Sequence, residues 1–167
     1  MRTDELAPVL AGLFSELTEG APAGGQNFML NSGDAGLLAS LDRLTAADAS
    51  RSVHGGATIA AHTQHVRYGL TLMNAWAAHG GNPFADATWD EAWKVGMVDD
   101  AQWDEIRAGL REESRRWLAT LGTPREVHRI EYAGMISSIA HLAYHLGAMR
   151  QIATGARGPK EGSFQPG

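Results

Sequence analysis

The stretch YAGMISSIAHLAYHLGAMRQIA, Tyr132–Ala153, decides how the chain is read. From Tyr132 to Met149 it has no Asp, Glu, Lys or Arg over about the length of a membrane span, yet it carries Gly134, Ser137, Ser138, His141 and His145. That many polar groups suit a protein interior better than lipid. The stretch therefore reads as a core helix ending at Gly155, apolar nearly all round and the most buried of its fold. His141 and His145 stand four apart on it, which is roughly 6 Å of rise and about 40° of rotation. Two imidazoles so placed can converge on one point beyond the helix surface, the spacing that gives two ligands to one metal ion.

Helical spacing also governs the rest of the chain. Leu6, Val9, Leu10, Leu13 and Leu17 form a stripe on a first helix, closed by Gly20 and Pro22. After a Gly-rich loop, Asp34 is placed to cap a short helix over Gly36–Leu44. Thr58 can cap a long helix that runs to Ala78 and stops at Gly80-Gly81. Asn82–Glu105 reads as an irregular linker rich in Asp and Glu, with Trp89, Trp93 and Trp103 in it. Asp99 or Asp100 opens the next helix with Gln102 as capping-box partner. This helix buries Trp103, Ile106, Leu110, Trp117 and Leu121, and it stops at Gly122 before Pro124. Arg125–Ile130 reads as an extended connection into the Tyr132–Ala153 helix. Four long helices with almost no strand signal predict an all-α bundle, with a short extra helix near residues 35–44. It forms one domain over residues 1–153, followed by a mobile or lid-like tail over 154–167 that four Gly and two Pro keep from packing.

The chain has 167 residues, 20% of them charged and 44% apolar, with seven His and no Cys. The missing cysteine excludes disulfide scaffolds, iron–sulfur clusters, thiolate zinc sites and a Cys nucleophile. Any metal must be held by His and carboxylates. Fourteen basic against nineteen acidic residues give a net charge of −5 with dispersed Arg, which argues against nucleic acid as a partner. Asp4 and Glu5 stand where a signal peptide would be basic, so the chain is expected to be cytoplasmic, with no membrane partner. No Ser/His/Asp constellation, phosphate-binding glycine loop or GxGxxG motif is present.

Small residues flank the histidine pair. Gly134, Ser138, Ala148 and Ile152 share its stripe, and two polar rings beside empty space cost a few kcal/mol unless water or metal satisfies them. The Thr58 helix offers a matching side with Ala61, His62, His65, Gly69, Leu72 and Trp76. One His from this side with His141 and His145 makes a three-His site with open positions, suited to Zn, Ni or Fe(II). Spacing leaves His62 and His65 as equal candidates, and it also allows all of these histidines to be core groups bonded to backbone. His54, His79 and His128 fall in loops or at element ends and read as surface residues.

The run Thr58-Ile59-Ala60-Ala61-His62-Thr63-Gln64-His65-Val66 resembles a motif of the DinB/YfiT-like superfamily, in which a Thr or Ser opens the second helix and a metal-binding His follows seven positions later. His141-Leu142-Ala143-Tyr144-His145-Leu146-Gly147 resembles that family's HxxxHxG motif. The resemblance covers the whole chain in order and size, and it implies a four-helix bundle of the DinB/YfiT type with a divalent metal on His65, His141 and His145. Many members carry Gln after the Gly of HxxxHxG, where this chain has Ala148, with Gln151 three residues further on.

Among the family's known activities are bacillithiol and mycothiol S-transfer, a mycothiol-dependent isomerisation and metal-dependent hydrolysis. The resemblance thus implies a small-molecule substrate, a metal that activates water or a low-molecular-weight thiol, and a homodimer. A metal- or ligand-binding member without catalysis fits the same motifs. No side chain is singled out as catalytic; His62 is a candidate for a supporting place behind the ligands or for packing. Arg67 and Arg150 are candidate partners for an anionic cofactor, and the three tryptophans of the linker either wall a substrate cleft or anchor the loop.

Overall fold

The structure is a computed structural model in which residues 2–22 and 24–160 are described. Among the described residues seven α-helices follow one another: α1 Ala7–Glu19, α2 Gly36–Asp42, α3 Ala46–Ala49, α4 Ile59–His79, α5 Trp89–Trp93, α6 Asp100–Gly122 and α7 Arg129–Ile152, with a short 3-10 turn at Thr154–Ala156. Among the described residues there is no strand, only an isolated antiparallel bridge between Arg2 and Glu126. The all-α class expected from the periodicity is what the chain adopts. No described helix is long and apolar enough to cross a membrane. The chain divides into two compact units, one made of the segments up to Arg43 and from Leu121 on, the other of Leu44–Thr120.

In the first unit α1 starts with Pro8 in its opening turn, where the missing N–H costs no hydrogen bond, and it packs against α2 and α7. Its buried face is Ala7, Leu10, Phe14 and Leu17, and Val9 is 53% exposed. The expected stripe is thus rotated, because Phe14, the bulkiest apolar group of the helix, takes the core side. Glu16 is buried as well, and its carboxylate accepts the backbone N–H groups of Phe28 (3.1 Å), Met29 (2.8 Å) and Leu30 (2.7 Å). A buried charge survives when donors surround it, so this carboxylate fixes the Gly-rich loop onto α1.

The end of α1 and the start of α2 touch backbone to backbone. Gly20 has φ 105° and Gly36 φ 73°. A Cβ on Gly20 would lie 2.4 Å from the Asp34 carbonyl oxygen, and one on Gly36 would lie 2.4 Å from the Gly20 nitrogen. Asp34 serves α2 from outside the capping position, its carboxylate accepting from the Gly36 N–H at 2.9 Å, while Ala35 is the N-cap residue.

Helix α7 begins at Arg129, so the expected extended connection is shorter than Arg125–Ile130. It is held by Thr3, whose N–H donates to the Arg125 carbonyl at 3.0 Å and whose hydroxyl accepts from the Arg125 N–H at 2.9 Å. The expectation that α7 is buried all round does not hold. Met135, Ile139, Leu142, His145, Leu146 and Met149 are buried, but Ile130 is 76% and Tyr144 69% exposed.

Nor is the chain unpacked from Thr154 to Lys160. Ala156 is buried, its carbonyl accepts from Arg150 Nε at 3.2 Å, Arg157 Nε donates back to the Arg150 carbonyl at 3.1 Å, and Arg43 reaches the Gly155 carbonyl. Arginine donors supply the hydrogen bonds that Gly and Pro do not. The rest of the expected tail, 161–167, lies outside the described residues.

In the second unit Thr58 caps α4 as expected, its hydroxyl accepting from the Ala61 N–H at 3.1 Å, and Gly80 with φ 67° ends it. The Asp99–Gln102 capping box opens α6, with Gln102 N–H to Asp99 Oδ1 at 2.8 Å and Asp99 N–H to Gln102 Oε1 at 3.0 Å. Trp103, Ile106, Leu110 and Trp117 are all buried, as is Leu121, the first residue of α6 that counts with the other unit. Two short helices were not expected: α3, closed by a Thr45–Asp48 capping box, and α5, inside the linker read as irregular.

Candidate metal centre

The pair on α7 behaves as its spacing demands. His145 is buried, His141 partly so, and their Nε2 atoms stand 2.9 Å apart with the rings edge to face. Two ring nitrogens about 2.1 Å from one ion, at tetrahedral to right angles, lie roughly 3.0 to 3.4 Å apart. The observed separation is within a few tenths of an ångström of that range. Burial holds the His141 imidazole below the ordinary histidine value, so its nitrogen lone pair is available near neutral pH.

His65, on α4, is buried and flanked by aromatic rings from α5. Trp93 stacks on it with centroids 4.3 Å apart and planes 25° from parallel, and Trp89 lies at 5.3 Å. Tyr68 packs edge-on to Trp89 and accepts the Thr88 N–H at 3.0 Å, while Phe84 stacks further out on Trp89. The Thr58 hydroxyl donates to the Gly96 carbonyl at 3.1 Å, so the residue that caps α4 also ties down the chain that follows α5.

His62 is buried against the edge of Trp93 at 5.2 Å, and desolvation lowers its pKa. His141 and His145 belong to the first unit, and His65, with His62 one turn before it on α4, belongs to the second. His54, His79 and His128 are exposed, as expected.

Both arginines considered as cofactor partners are engaged elsewhere. Arg67 lies against Gly109, where a Cβ would meet its guanidinium, and is 3.7 Å from Glu105. Arg150 pairs with Asp34 at 2.7 Å. Of the three linker tryptophans, Trp103 is a core residue whose indole N–H donates to the Leu44 carbonyl at 2.9 Å. Trp89 and Trp93 are the ones that reach His65. Their four-residue spacing, which puts both rings on one helical face, was the signal for this that the linker reading passed over.

Compared with protein-family models, with curated proteins and with solved structures, the chain matches none.

Proposed function

We propose that the chain is a DinB-like four-helix-bundle metalloprotein in which His65, His141 and His145 hold one divalent ion, Zn, Ni or Fe(II). The ion would serve a reaction on a small molecule. The observation that carries this reading is the His141–His145 pair on α7, whose ring nitrogens stand 2.9 Å apart, and the resemblance of the Thr58–Val66 run adds His65. Three neutral nitrogen donors leave coordination positions open, as in catalytic rather than structural sites. An ion bound there supplies a Lewis acid that can acidify water or a thiol.

The chain's own residues supply the rest. His141, kept neutral by burial, needs no proton removed before it can ligate. Trp93 covers one face of the His65 ring and keeps water from it. Having no cysteine, the protein must take any reacting thiol from solution.

Elemental analysis of protein purified without a histidine tag tests the site. About one equivalent of divalent metal is expected, falling below about a tenth in His141→Ala. Metal below a tenth of an equivalent in the parent, with the stability of His141→Ala unchanged, overturns it. Incubating the loaded protein with an electrophile and a panel of low-molecular-weight thiols, and separately with ester and amide substrates, tests the reaction. Turnover above the His65→Ala control in one arm identifies thiol transfer or hydrolysis. Turnover in neither leaves a metal-binding protein without catalysis.

A further inference from the structure

A cleft of about 770 Å³ lies within the first unit, between the loop after Phe28, the last turns of α7 and the segment Arg157–Lys160. This is the size of an ordinary small-molecule site. Charged side chains fasten both of its loop walls. The Glu16 carboxylate accepts the N–H groups of Phe28, Met29 and Leu30 and so fixes one of them. The other is held by arginines: Arg43 donates to the Gly155 and Arg157 carbonyls at 3.3 and 3.4 Å, and Arg150 donates to the Ala156 carbonyl at 3.2 Å. A Cβ on Gly158 would collide with Asp34 Oδ2, so glycine is what lets this wall lie flush on the Asp34–Arg150 ion pair. A cleft whose loops are fastened before a ligand arrives loses little entropy on binding.

The charged groups that line the cleft are engaged within the protein. Asp34 pairs with Arg150 at 2.7 Å and accepts the Gly36 N–H at 2.9 Å. Arg157 donates its Nε to the Arg150 carbonyl at 3.1 Å, and Lys160 is engaged as well. What the cleft leaves open is uncharged. Among the described residues the side-chain amides of Asn31 and Gln151, both exposed in its lining, make no hydrogen bond. Each amide can donate and accept. Met29 and Leu30 on one wall and Pro159 on the other add apolar surface. Gly147 adds open space, since a Cβ there would meet no atom within 4 Å.

We propose that this cleft binds an uncharged, flat heterocycle of the nucleoside kind. Its ring lies between Met29, Leu30 and Pro159, and its donors and acceptors meet the amides of Asn31 and Gln151. Asparagine and glutamine amides match the donor–acceptor edge of a purine, and a neutral ligand asks nothing of charges that already serve the walls.

Calorimetric titration of the full chain with adenosine and inosine tests it, with adenosine monophosphate as the charged counterpart. Saturable binding of at least one nucleoside is expected. The monophosphate should gain less than about tenfold over adenosine, because engaged or solvent-facing charges add little. Asn31→Ala combined with Gln151→Ala should weaken the nucleoside by about fivefold or more, the worth of two neutral hydrogen bonds. Gly147→Leu, which fills the open space, should abolish saturation while the melting temperature holds or rises. Chelator-treated protein should bind as untreated protein does, which separates this cleft from the proposed metal centre. No saturation by either nucleoside below about 10 mM, a preference for the monophosphate of about tenfold or more, a smaller loss in the double variant, saturation retained in Gly147→Leu, or loss of binding after chelation would each overturn the assignment.

Discussion

His62 and His141 show what burial does to an imidazole, since both are held below their ordinary value by desolvation. In the unfolded chain a histidine titrates at about 6.5, so below that pH the unfolded state binds protons that the folded state resists. The contribution of these two residues to stability is complete above the unfolded value and is lost as the pH falls through their lower folded-state values. The melting temperature of chelator-treated protein should therefore drop between about pH 7 and 5. His62→Gln should flatten that drop. Half-buried Asp48, held low by hydrogen bonds from Thr45, and exposed Glu112, held low by Arg115, titrate below this window and do not confuse it. A melting temperature that is constant or rises on acidification would refute the assignment. At this scale the sequence was readable for His141 and His145, because both lie on one helix and their spacing is local. For Arg67 and Arg150 it was not, because the groups that engage them, Gly109 and Asp34, are distant in the chain.

Thr58 carries two jobs for α4. Its hydroxyl accepts the Ala61 N–H and donates to the Gly96 carbonyl, so one side chain both starts the helix and fastens the segment after α5. Thr58→Ala should cost about 1 kcal/mol from the lost cap, read as a fall of roughly 2–4 °C in melting temperature for a chain of this size. It should also speed amide exchange at α5. Thr58→Ser should retain most of both, and exchange at α5 unmoved in Thr58→Ala would show that the second job is not there. Helices α4 and α6 were legible because caps, glycine stops and periodicity agreed at their ends, whereas α1 and α7, which have no side-chain cap, were legible from their periodicity. Helix α5 was not, since five residues are too few to repeat a period, and the four-residue spacing of Trp89 and Trp93 gains its meaning only once His65 is known to lie against both rings. Apolar composition also misled for α7: it records which residues a helix contains, not which of its faces another helix covers, and Ile130 and Tyr144 remain in solvent.

For the molecule as a whole, the proposed ion takes its ligands from positions more than seventy residues apart in sequence, His65 and the His141–His145 pair. Binding to the folded chain alone, with free ion about a hundredfold above its dissociation constant, contributes about 2.7 kcal/mol. Chelation should then lower the melting temperature by roughly 5–10 °C, and His145→Ala should be indifferent to the chelator. A parent protein whose melting temperature ignores both chelator and added metal would contradict the proposal at this scale. The contact of Gly20 with Gly36 bears on how the sequence can change. Loops ordinarily accept substitution, but here two backbones meet with no room for a methyl group, at φ values that side chains rarely adopt. In a library covering every single substitution and selected for folding, Gly20 and Gly36 should be depleted of all replacements, alanine included. Gly24 and Gly33, which also have positive φ but open space around the missing side chain, should accept asparagine. The chain's freedom to vary is thus narrowest in a region that sequence reading would have left to drift.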